Sequence, residues 1–245
     1  MTDTPLYILA SALRPCKLCI IGNSFAGSVY RAYQLQSDEF RNRIRIDFHA
    51  AGGVNFKNIA VAEGRVVNAR SIAVKHGNVI ADYDAVIVYG PLPNPEEVAA
   101  MRWYMYKTGI SSQVSDAAVM DSITASESYR LCRMLEPSGR SNILALSRNP
   151  RSNGDAVNPR RFSAAVRDIA LGLGSIRYIP FPSFLFGPDY VPKFEYYKDS
   201  VRIDGSSGQS PTQAKQDIYH MNALGGGLVL GGILLALALA PELFT

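Results

Sequence analysis

Cys16-Lys17-Leu18-Cys19-Ile20-Ile21 is a short apolar run that stops abruptly at Gly22-Asn23-Ser24. A nearly continuous apolar run closed by a glycine turn reads as a strand buried on both faces. Val29 to Leu35 follows as a helix, so the chain opens as strand, turn, helix. The same alternation continues outward. Ile44 to Ala50 alternates Ile44, Ile46 and Phe48 with Arg45, Asp47 and His49, and reads as a second strand ending at Gly52-Gly53. Val66 to Ile80 holds two β-rich stretches around Lys75-His76-Gly77-Asn78 and predicts a hairpin insertion. Asp84 to Gly90 is a third core strand, Asn142 to Ser147 a fourth and Ile176 to Ile179 a fifth. Helices are expected at Glu96–Tyr106, Val114–Leu135 and Pro159–Leu171. Pro180 to Gln216 is rich in Pro, aromatic residues, Ser and Gly and reads as a long loop. Asp217 then opens a final helix to about residue 240. Strands alternating with helices predict an α/β domain, with a parallel sheet of about five strands and helices on both faces. No internal repeat or linker divides residues 1–245, which read as one domain.

Composition narrows the function classes. Of 245 residues, 47% are apolar and 19% charged, which excludes a disordered chain. The 25 Lys and Arg against 21 Asp and Glu leave a net charge of +4, spread along the chain rather than clustered as nucleic-acid binding requires. The N-terminus Met1-Thr2-Asp3-Thr4-Pro5 is acidic rather than basic, so a cytoplasmic protein is expected. Ala223 to Ala240 is an uncharged stretch of 18 residues, the lower threshold for a membrane span. A helix buried inside a large core is equally apolar on all sides. Five glycines and the absence of a basic anchor after it favour the core helix, with a C-terminal membrane anchor as the alternative. The three cysteines, Cys16, Cys19 and Cys132, form no disulfide framework. Cys16 and Cys19 lie three apart within a strand, so they face opposite sides and read as core residues rather than a redox or metal pair.

A glycine turn after the first strand of an α/β sheet lies where ligands bind, at the carboxyl edge of the strands. A phosphate loop would need lysine after Gly27, and Ser28 stands there. A dinucleotide fingerprint would need glycine in place of Ser24. Asp47 has the spacing of a ribose-binding acid but falls inside the second strand. The third possibility makes Ser24 a nucleophile, which requires a nearby base and a group to orient that base. Of three histidines, His76 falls in a surface turn, His49 ends a strand, and His220 follows Asp217 by three residues. At the start of a helix that spacing puts both on one face. The plainer alternative is that Asp217 caps the helix and His220 is a polar residue of its first turn.

Gly22-Asn23-Ser24 near one end and Asp217-Ile218-Tyr219-His220 near the other, followed by Asn222, resemble the first and last blocks of the SGNH (GDSL-like) hydrolases, in their bacterial Gly-Asn-Ser form. The resemblance spans nearly the whole chain. It implies a three-layer α/β/α, flavodoxin-like fold with the final helix packed on the sheet. It also implies a serine ester hydrolase, esterase- or deacetylase-like, with Ser24 as nucleophile, His220 as general base and Asp217 as its orienting acid. Its oxyanion donors would be the Ser24 N–H, a glycine N–H after the second strand (Gly52 or Gly53, with Gly53 favoured) and an asparagine after the third. No cofactor or metal is implied, and the expected partner is a small-molecule or glycan ester. The family's third block is Gly-x-Asn-Asp, whereas Gly90-Pro91-Leu92-Pro93-Asn94 delivers Asn94 two positions late, behind two prolines. A non-catalytic binding or scaffold protein on the same fold is therefore the competing function. An α/β-hydrolase fits less well, because its elbow needs glycine where Ala26 stands and its acid lies far from its histidine.

Two further features invite a functional reading. The aromatic residues between Tyr178 and Tyr197 would wall a substrate pocket or pack on the core. Arg148, Arg151, Arg160 and Arg161 would attract an anion or form a solvated face.

Overall fold

The computed structural model describes residues 5–72, 79–138, 142–150, 157–187, 190–198 and 220–239. The first half comprises α1 (Pro5–Ala12), β1 (Cys16–Gly22), α2 (Ala26–Gln34), α3 (Asp38–Arg43), β2 (Ile44–Ala50), β3 (Ala60–Ala62), β4 (Arg65–Val67), β5 (Arg70–Ile72) and β6 (Ala85–Tyr89). The second comprises α4 (Pro95–Lys107), α5 (Ser112–Thr124), α6 (Glu127–Leu135), β7 (Ile143–Leu146), α7 (Pro159–Leu173), β8 (Arg177–Tyr178) and α8 (Ala223–Ala238). Five strands run parallel in the order β2-β1-β6-β7-β8, and β5 adds an antiparallel edge beside β2. Counting only the parallel strands, the order is 2-1-3-4-5, the flavodoxin-like arrangement.

Side chains alternate across the sheet and bury two cores. Leu18, Ile20, Ile46, Phe48, Ile87 and Leu144 face α1, α2 and α8. Cys19, Ile21, Val86, Val88 and Ala145 face α4, α5, α6 and α7. The three layers expected from the alternation of elements are therefore present.

Two local expectations need correction, the long helix and the start of the final one, and two further elements join them. The helix expected over Val114–Leu135 is two helices, because Ser126 adopts an extended conformation and its hydroxyl accepts the Tyr129 N–H, capping α6. A hairpin is formed by β3 and β4, which pair across Glu63 and Gly64, both at positive φ, the geometry of a tight hairpin turn. Lys75 to Asn78 lies outside the described residues. Helix α1 has no polar stripe to announce it; Arg43 holds its end, the guanidinium donating to the carbonyls of Ala10, Ser11 and Leu13. Finally, α8 begins at Ala223, not at Asp217. Asn222 is its cap, with Oδ1 accepting the Gly225 N–H at 3.0 Å.

No described helix is long and apolar enough to cross a membrane. Helix α8 instead packs with α1, α2 and the sheet. Its contact with α2 is made by backbone. A Cβ built on Gly226 would lie 2.1 Å from the Ser28 carbonyl oxygen and 2.2 Å from its carbon, so only glycine permits this crossing. Gly22 plays the same part at the end of β1, where a Cβ would meet the Tyr89 oxygen at 2.9 Å and the Ala26 Cβ at 2.6 Å.

The crossing predicts opposite effects for adjacent glycines. Gly226→Ala is expected to destabilise by about 1–3 kcal/mol or more, because backbone must move. A Cβ on Gly227 would have only Ala32 Cβ nearby, at 3.9 Å. Gly227→Ala should therefore gain about 0.4–1 kcal/mol through the unfolded chain. Urea denaturation of the two variants checks this, and equal effects would refute the backbone contact.

Candidate active site

Ser24 stands just past β1, at the carboxyl edge beside the point where strand order reverses between β1 and β6, a usual ligand position. The Gly22 carbonyl accepts from Ala51, and the Tyr89 carbonyl accepts from the Asn23 N–H at 3.3 Å. Asn23 then turns the chain: its Oδ1 accepts the Phe25 N–H at 3.0 Å. This Asx turn leaves the Ser24 N–H without an acceptor among the described residues. The serine is half-buried, and α2 starts two residues later.

His220 reaches it from the far end of the chain. Its Nε2 lies 2.9 Å from Ser24 Oγ, across 196 positions of sequence. With Nε2 unprotonated, the serine hydroxyl donates to it, the arrangement a general base requires. His220 is not in a helical first turn, as the Asp217–His220 spacing implies, but precedes α8. Asn222 ties this segment down: its N–H donates to the Tyr196 carbonyl at 2.7 Å, and its side-chain amide donates to the carbonyls of Glu195 and Lys198. Asp217 lies outside the described residues.

Gly52 and Gly53 follow β2 at the same sheet edge. Gly52 is extended and beside open space, and Gly53 opens a short 3-10 turn, Gly53–Asn58. Initial N–H groups of such a turn have no partner within it and face outward as donors. Asn94, by contrast, is committed to structure. It is buried and caps α4, its Oδ1 accepting the Glu97 N–H at 3.0 Å while Glu97 Oε2 accepts the Asn94 N–H. Arg148 donates to the same Glu97 carboxylate, joining the loops after β6 and β7. Among the described residues no hydrogen bond links Asn94 to Ser24 or His220.

The other candidates resolve into structure. Asp47 is buried inside β2 and accepts from the Tyr83 hydroxyl at 2.9 Å, so it does not present itself to a ribose. His49 is buried on β2 opposite Ile21 and Ser71, and burial pushes its pKa down. His76 lies outside the described residues. Cys16 and Cys19 point into opposite cores, and all three cysteines are free and buried. Burial drives the Cys16 and Cys132 thiols up to about 12 and Cys19 higher still. Among the described residues no group of three His, Cys, Asp or Glu side chains is placed to hold a metal. Arg148 is paired with Glu97 and Arg161 lies over the Trp103 ring at 3.7 Å from its centroid, while Arg151 is outside the described residues. Most aromatic residues between Tyr178 and Tyr197 are buried in the core; Phe184 and Phe194 are exposed.

The sequence reading passed over an aromatic and amide cluster at this edge. Phe25 contacts both His220 and Tyr89, and the Tyr89 hydroxyl donates to Asn149 Oδ1. Its only sequence signals are an aromatic residue directly after the serine and another closing the third core strand. Neither a scan against protein-family models nor a search of curated proteins finds a match for this chain.

Two measurements check these assignments. Asn94→Ala should lose about 1 kcal/mol through the missing cap, whereas Asn94→Asp keeps the acceptor and removes the amide donor. An activity loss in Asn94→Asp at unchanged stability would place that amide at the oxyanion. The thiols should resist an aromatic disulfide reagent at pH 8 in the native protein and all react once it is unfolded. Because the folded state holds these protons above their ordinary value of 9.0, stability should fall as pH rises beyond about 9, where the unfolded chain ionises first.

Proposed function

We propose that the chain is a serine ester hydrolase of the SGNH type, acting on small acyl esters of an alcohol or glycan. The observation that carries this reading is the 2.9 Å approach of His220 Nε2 to Ser24 Oγ at the sheet's carboxyl edge. Ser24 of the first motif and His220 of the second come together there across 196 positions of sequence.

In the proposed reaction, Ser24 Oγ attacks the ester carbonyl carbon while His220 Nε2 takes the hydroxyl proton. The negative oxygen of the tetrahedral intermediate faces the N–H groups of Ser24 and Gly53. Preorganised donors of this kind contribute about 3–4 kcal/mol each to the transition state. Collapse breaks the bond to the alkoxide, which leaves with the proton from His220. Water then attacks the acyl-serine, giving its proton to His220; the carboxylic acid departs and the proton returns to Ser24. Asp217 is assigned the orientation of the imidazole by its motif. A ligand-binding protein on the same fold is the competing reading, favoured by the use of Asn94 as a helix cap.

Purified protein should hydrolyse p-nitrophenyl acetate and take up a fluorophosphonate label at Ser24. Ser24→Ala and His220→Ala should each lower kcat by about 10⁴-fold or more, and Asp217→Asn by about 10⁴-fold. A protein inert to acyl donors and unlabelled at Ser24 would leave the binding reading standing.

A further inference from the structure

Phe25 follows the nucleophile directly, and its ring lies against the imidazole of His220, with centroids 5.5 Å apart and planes inclined at 41°. Its backbone is fixed on one side by the Asn23 Asx turn and on the other by α2, which it precedes as the capping residue. The side chain makes no capping hydrogen bond, and its ring is partly buried against the core that faces α2 and α8. Behind Phe25 stands Tyr89, at 6.4 Å between centroids, and behind Tyr89 stands Phe181, at 6.3 Å. Tyr89 is fully buried at the end of β6, and its hydroxyl is held by Asn149. The series His220, Phe25, Tyr89, Phe181 thus runs from the imidazole into the buried core.

The hydrogen bond to Ser24 Oγ acts in the plane of the imidazole, whereas Phe25 packs on the ring itself. Aromatic neighbours in tilted contact restrict ring rotation through packing and quadrupole. We infer that Phe25 is a positioning residue, whose ring, backed by Tyr89, holds the His220 imidazole with Nε2 directed at Ser24. The inference rests on the hydrolase reading for its catalytic consequence, but the orientation itself does not. It gives the residue next to the nucleophile a role along a different axis from that of a carboxylate bonded to the imidazole edge.

The test uses the full chain with Phe25→Leu, which keeps apolar volume, and Phe25→Tyr, which keeps the ring. Leu should lower kcat for p-nitrophenyl acetate, and the rate of fluorophosphonate labelling, by roughly 3- to 10-fold with KM unchanged. Tyr should restore both to near the wild-type values, with melting temperatures alike across the three proteins. Independently of turnover, the ¹⁵N resonance of His220 Nε2 should move in Phe25→Leu towards that of an imidazole nitrogen accepting no hydrogen bond, and return in Phe25→Tyr. Unchanged labelling and an unchanged resonance in Phe25→Leu would overturn the inference. A wild-type protein without hydrolase activity would defeat the proposed reaction, and the resonance would still decide whether Phe25 orients the ring.

Discussion

The backbone contact between α2 and α8 is the constraint from which the site follows. Ser24 lies just before α2 and His220 just before α8. The two helices touch a short distance beyond those residues, where Gly226 meets the Ser28 carbonyl. Backbone meets backbone at this point, so the helices approach as closely as their chains allow. The hydrogen bond between Ser24 and His220 lies next to that close crossing. The caps reinforce this at both starts: Asn23 shapes the entry to α2, and Asn222 ties the entry to α8 to the turn around Tyr196.

The sheet supplies the second constraint. β1 is central, flanked by β2 and β6 in register, so the segments beyond Gly22, Ala50 and Tyr89 leave the sheet side by side. Ser24, the Gly52-Gly53 pair and the loop to Asn94 are brought to one edge by that register. The edge also sorts donors from braces. N–H groups at Ser24 and at the start of the 3-10 turn face outward, while Asn94 closes α4 and joins, through Glu97, the Arg148 loop. Asn94, behind two prolines, falls into helix-capping register, which commits its side chain to α4.

Much of this was legible because each signal was local and redundant. The core strands show as apolar runs closed by glycine, and their bounds agree with the structure within a residue or two at β1, β2, β6 and β7. The opposed orientation of Cys16 and Cys19 follows from strand periodicity alone. Where tertiary contacts decide, the sequence is silent. Helix α1 exists because Arg43 caps it from another element, and the break at Ser126 depends on one hydroxyl choosing a cap over a continuing helix. The glycines of Ala223–Ala240 look like a weakness in a membrane span. In the fold, one of them is the point where α2 and α8 touch. At the site, Ser24 and His220 were readable as motif residues, but the packing of Phe25 on His220 was not, since ring contacts between distant segments leave no spacing behind.

A pair assembled from segments so remote in the chain also has a history in time. During synthesis Ser24 emerges early, and its turn can form as soon as β1 and β2 pair. The imidazole can join it only once the stretch through α8 has been made, so the contact between Ser24 and His220 forms late. The same delay leaves Ala223–Ala238, sixteen residues without one charged side chain, uncovered until α1, α2 and the sheet receive it. Docking α8 therefore both covers this apolar helix and brings His220 to Ser24.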